Sequence, residues 1–249
     1  MRIAVITDIH GNIEALQACI RHARRIGVDQ FALLGDFVGY GAAPAAVVAQ
    51  AAELSARGAI IVRGNHEEAV LATPEGFTPQ ARQSADWTRG QLSASDVSFL
   101  SGLELVARQD WCLFAHASAH QPERWIYVDS TRTAADCIAA YPEGVRLGVF
   151  GHVHRQLLFH RAASEAAAGR FDPVPGAEIS LSRARRWAAL AGSAGQPRDG
   201  NAAAAWLLLD MQRESLTFHR VAYDVDAAAE RIRKVGLPGF FAERLAHGT

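Results

Sequence analysis

The sequence predicts an α/β fold in which a largely parallel sheet forms the first half and an antiparallel sheet packs on it from the second half. Short apolar runs punctuate the first half and are typical of buried strands, with helical periodicity between them. Beyond residue 154, short strand-like runs are separated by turn-rich pieces. With 249 residues, 49% hydrophobic content and no break in composition, we expect one domain over residues 1–249.

Strands and helices alternate in the first half, as in βαβ units. The predicted strand runs are 3–7, 31–35, 60–64, 111–115 and 147–151. Apolar residues recur at helical spacing over 13–23, which predicts a helix, and Gly27 is expected to end it. A second helix is predicted from Pro44 to residue 54, because proline is favoured at the first helical position. Helical segments are expected to fill 80–102.

The second half, residues 156–249, is predicted to supply a second sheet and a C-terminal helix. Its strand-like runs are 157–160, 177–181, 187–190, 204–209 and 216–221. The helix is expected over 225–235, where Gly236 and Pro238 end it.

Composition excludes several classes of function. A formal net charge of −1 and a pI near 6.8 give no general attraction to polyanions, so no nucleic-acid partner is expected. No run approaches the roughly 20 apolar residues of a membrane span. The three cysteines form no C-x-x-C pair, which favours a reducing compartment and a cytoplasmic location.

Each of the five apolar runs in the first half ends on side chains that bind metals. In chain order these are Asp8 and His10, Asp36, Asn65, His116, and His152 with His154. Ligand sites of open α/β sheets lie beyond the carboxyl ends of the strands, so we expect the five motifs to share one edge of one sheet. Two divalent ions need a bridging carboxylate, and Asp36 is the natural bridge.

This ordered set of motifs, over residues 1 to about 155, resembles the calcineurin-like metallophosphoesterase superfamily. The resemblance implies a four-layer αββα sandwich with two mixed central sheets between helical layers. It also implies two ligand sets. One ion would be held by Asp8, His10, Asp36 and His154, and the other by Asp36, Asn65, His116 and His152. The identity of the ions stays open among Mn²⁺, Fe²⁺, Zn²⁺ and Ni²⁺.

Three segments narrow the resemblance to a bacterial and archaeal branch of small cytoplasmic phosphodiesterases. They are residues 7–12 (TDIHGN), 35–41 (GDFVGYG) and 192–200 (GSAGQPRDG). Some members of that branch are associated with dinucleoside polyphosphate cleavage, so a small phosphoester or nucleotide is the expected substrate. A water bridging both ions would have its pKa lowered towards about 7, which produces a hydroxide able to attack phosphorus.

Four further residues are candidates for substrate chemistry. His66, beside the ligand Asn65, is the predicted general acid, as in similar enzymes, and the alternative is a group that orients Asn65. Glu67 could tether His66 or cap the next helix. Arg198 and Asn12 are predicted to contact substrate; the alternative for Arg198 is a turn held by an Arg–Asp pair.

Other functions stay open. A phosphomonoesterase or protein phosphatase would use the same site. Arg63 before Gly64 is compatible with this alternative, because such enzymes carry arginines beside the metal motifs. A scaffold of this fold without metal is the non-enzymatic alternative. The oligomeric state cannot be read from the sequence.

Overall fold

The fold contains two six-stranded sheets. The computed structural model describes residues 1–72 and 78–249. The strands are β1 (Arg2–Ile6), β2 (Gln30–Leu34), β3 (Ile60–Val62), β4 (Val106–Gln109), β5 (Cys112–Ala115), β6 (Leu147–Phe150), β7 (Gln156–Ala162), β8 (Gly169–Phe171), β9 (Glu178–Ser180), β10 (Arg185–Ala191), β11 (Ala204–Asp210) and β12 (Ser215–Val221). The helices are α1 (Ile13–Ile26), α2 (Pro44–Ala56), α3 (Asn65–Leu71), α4 (Pro79–Arg89), α5 (Ala94–Ser101), α6 (Thr131–Ala139), α7 (Val225–Lys234) and α8 (Gly239–His247).

Both sheets are mixed, and each combines strands from the two halves of the chain. The first has the order β3-β2-β1-β11-β12-β9, and the second has the order β4-β5-β6-β10-β7-β8. The α/β class and the two mixed sheets are confirmed. The prediction that residues 156–249 form their own antiparallel sheet was wrong. β11 pairs antiparallel with β1, and β10 pairs parallel with β6. An apolar run identifies a strand but carries no information about its partner.

The expectation that the five motifs share one edge of one sheet was also wrong. β1, β2 and β3 belong to the first sheet, whereas β5 and β6 belong to the second. The motifs therefore face each other across the junction of two sheets, so that ligands can approach an ion from two sides.

The four-layer arrangement follows from three apolar clusters. The central one joins the inner faces of the two sheets, with Val5 of β1 and Val149 of β6 in the same cluster. On the outer face of the first sheet, Leu16 of α1 packs in a cluster with Trp206 of β11. On the outer face of the second, Ile138 of α6 packs among residues of that sheet. Helix, sheet, sheet and helix are therefore stacked in that order.

Several predicted elements are confirmed. Helix α1 ends at Gly27, whose φ of +83° is the left-handed conformation that favours glycine at a helix end. Helices α4 and α5 lie within the 80–102 segment. The C-terminal region differs from the prediction of one final helix. Gly236 and Pro238 lie between two helices, α7 and α8. The sequence pattern also missed α3 and α6, both under ten residues long.

Helices α7 and α8 pack beside the metal motifs. Phe241 of α8 is buried, and its ring centroid lies 4.8 Å from that of Tyr40, in the loop after β2. Tyr40 in turn lies 4.5 Å from the ring of His10. The C-terminal helices therefore support one wall of the region where the motifs converge.

Candidate metal centre

The seven predicted ligand residues converge on one buried region. Ligand atoms of Asp8, His10, Asp36 and His154 all lie within 4.8 Å of one another, and so do those of Asp36, His116 and His152. Asp36 belongs to both groups, which is the position a bridging carboxylate would take. Asn65 adjoins the second group, since its Oδ1 lies 3.1 Å from His116 Nε2. The structure thus brings together two donor sets with one shared carboxylate.

The backbone is held in an unfavourable conformation at these positions. Five of the residues have positive φ: Asp8 (52°), His10 (49°), Asp36 (53°), His152 (64°) and His154 (60°). Non-glycine residues rarely adopt this left-handed region, and such strain persists where surrounding structure enforces it, often at functional sites. Close packing enforces it here. A Cβ at Gly151 would overlap the side chains of Thr7 and Asp8.

The imidazole rings of His10 and His154 point their Nε2 atoms at each other, and both of these atoms are hydrogen-bond acceptors. His10 Nδ1 lies 3.2 Å from the carbonyl oxygen of Val38, and His154 Nδ1 lies 2.6 Å from that of Gln196. A carbonyl accepts only, so in the neutral ring each Nδ1 carries the hydrogen and each Nε2 presents a lone pair. The two Nε2 atoms lie 3.1 Å apart. Two lone pairs at this distance repel, unless a cation lies between or beside them.

His116 shows the same pattern. Its Nδ1 lies 2.7 Å from the carbonyl oxygen of Leu34, which orients Nε2 towards the centre. Around Nε2 lie Asp36 Oδ2 at 3.3 Å, Asn65 Oδ1 at 3.1 Å and His152 Nδ1 at 3.2 Å. Imidazole ligands of metals are commonly oriented through their second nitrogen in this way.

The charges at the centre require a cation. Burial raises the pKa of Asp8 to about 7, and the neighbouring Asp36 adds to the effect. Burial lowers the pKa of His116, but the carboxylates of Asp36 and Asp8 outweigh it and raise the value to about 10. Without metal, a proton on His116 offsets one of the two negative charges that Asp8 and Asp36 carry when both are ionised. Divalent ions would replace this proton, and the oxygen and nitrogen donors present are those that such ions prefer. The residues therefore fit divalent metal ions.

Glu67 organises the loop that carries Asp36. Its buried carboxylate accepts hydrogen bonds from the backbone N–H groups of Asp36 (2.8 Å), Phe37 (2.8 Å), Val38 (3.3 Å) and Gly64 (2.8 Å). The bond from Gly64 also caps helix α3, so the capping role considered for Glu67 is the one observed. This carboxylate joins the second and third motifs. Sequence reasoning missed that function because Glu67 reaches back about 30 residues along the chain.

We expect Glu67→Gln to destabilise the protein by about 3 kcal/mol, because an amide group would place donors against buried N–H groups that then lack an acceptor. Chemical denaturation measures the change. Glu68→Gln is the matched control, since Glu68 on the same helix accepts one bond from Trp125 and is less buried. Equal, small effects of the two changes would contradict the role assigned to Glu67.

An open cleft of about 200 Å³ lies over the centre. It is lined by Asp36, Tyr40, Asn65, His66, Thr78, Ala81, Tyr127, His152, His154 and Arg198. Tyr127 was not singled out from the sequence. Its ring is 49% exposed and stacks on His152, with ring centroids 4.0 Å apart. Tyr127 lies outside the five metal motifs, so nothing in the sequence indicated that it lines the cleft.

Arg198 lies in the cleft and does not form the Arg–Asp pair that is its alternative role. Asp199 instead forms an ion pair with Arg220. Arg198 Nη2 donates to Gln196 Oε1 at 3.2 Å, and its guanidinium lies 5.9 Å from the centroid of the Tyr40 ring. No acidic residue among the described parts of the chain pairs with Arg198, so its charge is available to an anion in the cleft.

Two other candidate residues lie elsewhere. Asn12 caps helix α1 by accepting from Ala15 N at 3.1 Å, and its amide donates to Gly195 O at 2.9 Å. It is buried and does not line the cleft, so the substrate contact of Asn12 stays a prediction. Arg63 is also absent from the cleft lining.

His66 lines the cleft beside Asp36. Its backbone N–H donates to Asp36 Oδ1 at 2.9 Å, and its ring packs edge-on against Tyr40, with centroids 4.4 Å apart. Burial lowers the pKa of its imidazole to about 4, although Asp36 opposes the shift. The ring is therefore directed at the space where a substrate would bind, and is neutral near pH 7 in the ligand-free protein.

Comparisons with known proteins agree with this site. The family model of the calcineurin-like phosphoesterases matches residues 1–156. An uncharacterized protein of Methanocaldococcus jannaschii is 30% identical over 99% of this chain and 98% of its own length. The crystal structure of a metallophosphoesterase from Sphaerobacter thermophilus has 33% identity and a TM-score of 0.87, with complete coverage of both chains.

A hypothetical protein from Pyrococcus horikoshii OT3 shares the fold, with a TM-score of 0.79 at 18% identity over 100% of this chain and 98% of the other. Among the described residues, no helix is long and apolar enough to cross a bilayer. The matched region contains all five metal motifs. The chain belongs to the calcineurin-like phosphoesterase family, and its family activity is the hydrolysis of phosphoesters.

Proposed function

We propose that this protein hydrolyses phosphodiester bonds of small substrates, with nucleotides and dinucleoside polyphosphates as the candidate class, and that it uses two divalent ions. One observation carries the preference for diesters. Among the described residues, the lining of the cleft has one guanidinium, that of Arg198, and two tyrosine rings, those of Tyr40 and Tyr127, whereas Arg63 is not part of it. A diester carries one negative charge on phosphorus and two organic substituents, which suit one arginine and aromatic walls.

The ligand sets proposed for the ions are those implied by the family. Asp8, His10, Asp36 and His154 would hold one ion, and Asp36, Asn65, His116 and His152 the other. When bound, two such ions lower the pKa of a water molecule and neutralise the phosphoryl oxygens. The protein supplies the fixed donors, and it also excludes bulk water from them, since six of these seven residues are buried.

His66 is the proposed general acid for the leaving group. Burial lowers the pKa of His66 to about 4, which is too low for a proton donor at neutral pH. An anionic phosphate beside the ring favours the charged imidazolium and raises this pKa. The proton is thus taken up with substrate and donated to the departing oxygen. Such a contribution is typically 10²- to 10⁴-fold.

The reaction class is tested by comparing bis(p-nitrophenyl) phosphate, p-nitrophenyl phosphate and diadenosine tetraphosphate on protein reconstituted with each candidate metal. We expect the highest kcat/KM on the diester or the dinucleoside polyphosphate. A preference for p-nitrophenyl phosphate would make the protein a monoesterase. Absence of both bound metal and turnover on all three would favour the scaffold alternative.

We expect Arg198→Ala to raise KM for the preferred substrate about tenfold, because a hydrogen bond to a charged group contributes on the order of 1.5–3 kcal/mol. Metal content and melting temperature should stay near those of the wild type, since Arg198 forms no ion pair with the described residues. Steady-state kinetics and thermal denaturation measure both. Arg155→Ala is the matched control, because the Arg155 side chain donates to the main-chain oxygen of Arg198 and not to its side chain. A lower melting temperature with unchanged kinetics would make Arg198 structural.

A reducing, cytoplasmic location and a single domain over 1–249 are part of the same proposal. All three cysteines are free and buried, which suits a compartment where thiols stay reduced.

A further inference from the structure

A second cavity, of about 480 Å³, lies in the second sheet at the ends of the strands away from the metal centre. Five arginines line it: Arg146, Arg161, Arg183, Arg185 and Arg186. We call it the arginine cavity. Its remaining walls come from Ile138 and Ala139 at the end of α6 and from three further alanines. No acidic residue is among its lining residues. The chain as a whole carries a net charge of −1, so this concentration of positive charge is local.

Its place in the sheet separates it from the cleft. Arg146 directly precedes β6, whereas His152 of the metal centre follows the other end of the same strand. The four residues of β6 span about 13 Å at the usual rise of a strand. An anion in the arginine cavity therefore cannot contact the metal ligands at the same time.

Few of these charges are balanced by the protein. Glu214 accepts hydrogen bonds from both Arg146 and Arg183, so one carboxylate serves two guanidinium groups. Arg185 donates to the ring of His160, whose pKa is lowered by burial and by Arg185 itself. Arg161 donates to the main-chain oxygens of Ala135 and Glu165. Within the described ranges, Arg161, Arg185 and Arg186 form no ion pair.

Strand register brings two of the arginines together. Arg186 on β10 is directly opposite Arg161 on β7 in the antiparallel ladder. Side chains at opposed positions lie on the same face, with Cβ atoms about 4.5–5.5 Å apart, and like charges there are destabilising. The backbone N–H of the next residue, Trp187, donates to the carbonyl oxygen of Arg146, but the Arg146 side chain pairs with Glu214 and lies over the Trp111 ring. Arg186 is exposed, so solvent screens part of this repulsion.

One structural explanation covers only part of the cluster. Arg161 donates to the carbonyl oxygen of Ala135 in the middle of α6, so the fold holds this side chain in part. Arg186 forms no such bond with the described residues. An anion between the guanidinium groups would remove the repulsion, and the planar guanidinium fork matches phosphate oxygens with two parallel hydrogen bonds.

We propose that the arginine cavity binds a small anion that carries two or more phosphate groups. Arg161 and Arg186 lie on the same face of the sheet without an ion pair among the described residues, and their two positive charges match more than one phosphate charge. Arg185 precedes Arg186 on the strand, so it lies on the opposite face, where it donates to His160. A volume of about 480 Å³ lies in the range of small-molecule pockets, which is too confined for a nucleic-acid duplex. The proposal goes beyond the reaction at the metal centre and does not depend on it.

Calorimetric titration of the full chain with inorganic tripolyphosphate, in chelator and at low ionic strength, tests the site. Arg186→Gln should weaken binding about tenfold, because one charge-assisted hydrogen bond contributes on that scale. In the absence of the anion, the melting temperature of this variant should equal or exceed that of the wild type, because the opposed charges are relieved. A purely structural Arg186 would give the opposite shift.

Two variants with the same change of charge are the controls. Arg198→Gln removes the guanidinium of the metal cleft, and Arg213→Gln removes an exposed one that pairs with Glu178. Arg213→Gln should bind tripolyphosphate as the wild type does, and Arg198→Gln should keep the binding that Arg186→Gln weakens, whatever it loses in the cleft. Loss of binding in Arg198→Gln alone would place the anion in the cleft. Equal affinities for wild type and Arg186→Gln, or equal weakening in Arg186→Gln and Arg213→Gln, would overturn the arginine cavity as a site.

Discussion

Replacement of Asp36 by asparagine is expected to abolish most metal binding and to lower phosphoesterase activity by about 10³-fold or more. Asp36 is the carboxylate common to both donor groups, and its Oδ2 lies 3.3 Å from His116 Nε2. An amide keeps the size of the side chain but removes the negative charge that would neutralise two ions. Elemental analysis after Mn²⁺ reconstitution should show about two metals per wild-type chain and fewer than one in the variant.

The control for this change is Asp86→Asn, on the exposed face of α4, where the carboxylate pairs only with Arg89. It should retain both metals and full activity, because an exposed pair contributes little. Tight binding of one metal that is insensitive to Asp36→Asn would show that no carboxylate bridges two ions. The stability of the metal-free variant should be measured separately, since Asp36 Oδ1 also accepts the His66 backbone N–H.

The second large effect is expected for His66→Gln, which should depress kcat by about 10²- to 10⁴-fold while metal content stays near that of the wild type. The reason is that His66 faces the cleft and Asn65, its neighbour, provides the oxygen near His116. A general acid matters most where the leaving oxygen is basic. The loss should therefore be large for alkyl or nucleoside leaving groups and small for p-nitrophenolate.

The matched control is His120→Gln, a histidine outside the cleft whose backbone N–H bonds Ser118. It should leave kinetics unchanged. If His66→Gln slows good and poor leaving groups equally, His66 is a positioning residue that orients Asn65. If metal is lost as well, His66 supports the centre and has no separate role in proton transfer.

Much of the metal centre could be predicted from the sequence because each of its motifs is recognisable within a short segment. A buried strand needs apolar residues, and a sheet presents polar ligands where its strands end, so each motif is visible as a run followed by Asp, Asn or His. The left-handed backbone at Asp8, Asp36 and His152 was not visible. It results from close packing against other segments, such as Gly151 against Thr7.

Other features depend on contacts between distant residues. Glu67 joins loops about 30 residues apart, and Tyr127 reaches His152 from a segment without a motif. Arg198 and Asn12 looked alike as candidates, but only the fold directs Arg198 into the cleft and uses Asn12 as a helix cap.

The sequence by itself determined the class of the fold, the order of the motifs and the donors that two metals require, because strand burial and ligand chemistry are properties of short segments. Tertiary structure decided which strands are neighbours. β11 pairs with β1 in one sheet and β10 with β6 in the other, so the motifs are divided between two sheets. Pairing of β10 with β7 sets Arg161 opposite Arg186. An apolar strand pairs favourably with many partners, so its place is selected by the free energy of the whole packed core, which no single segment contains.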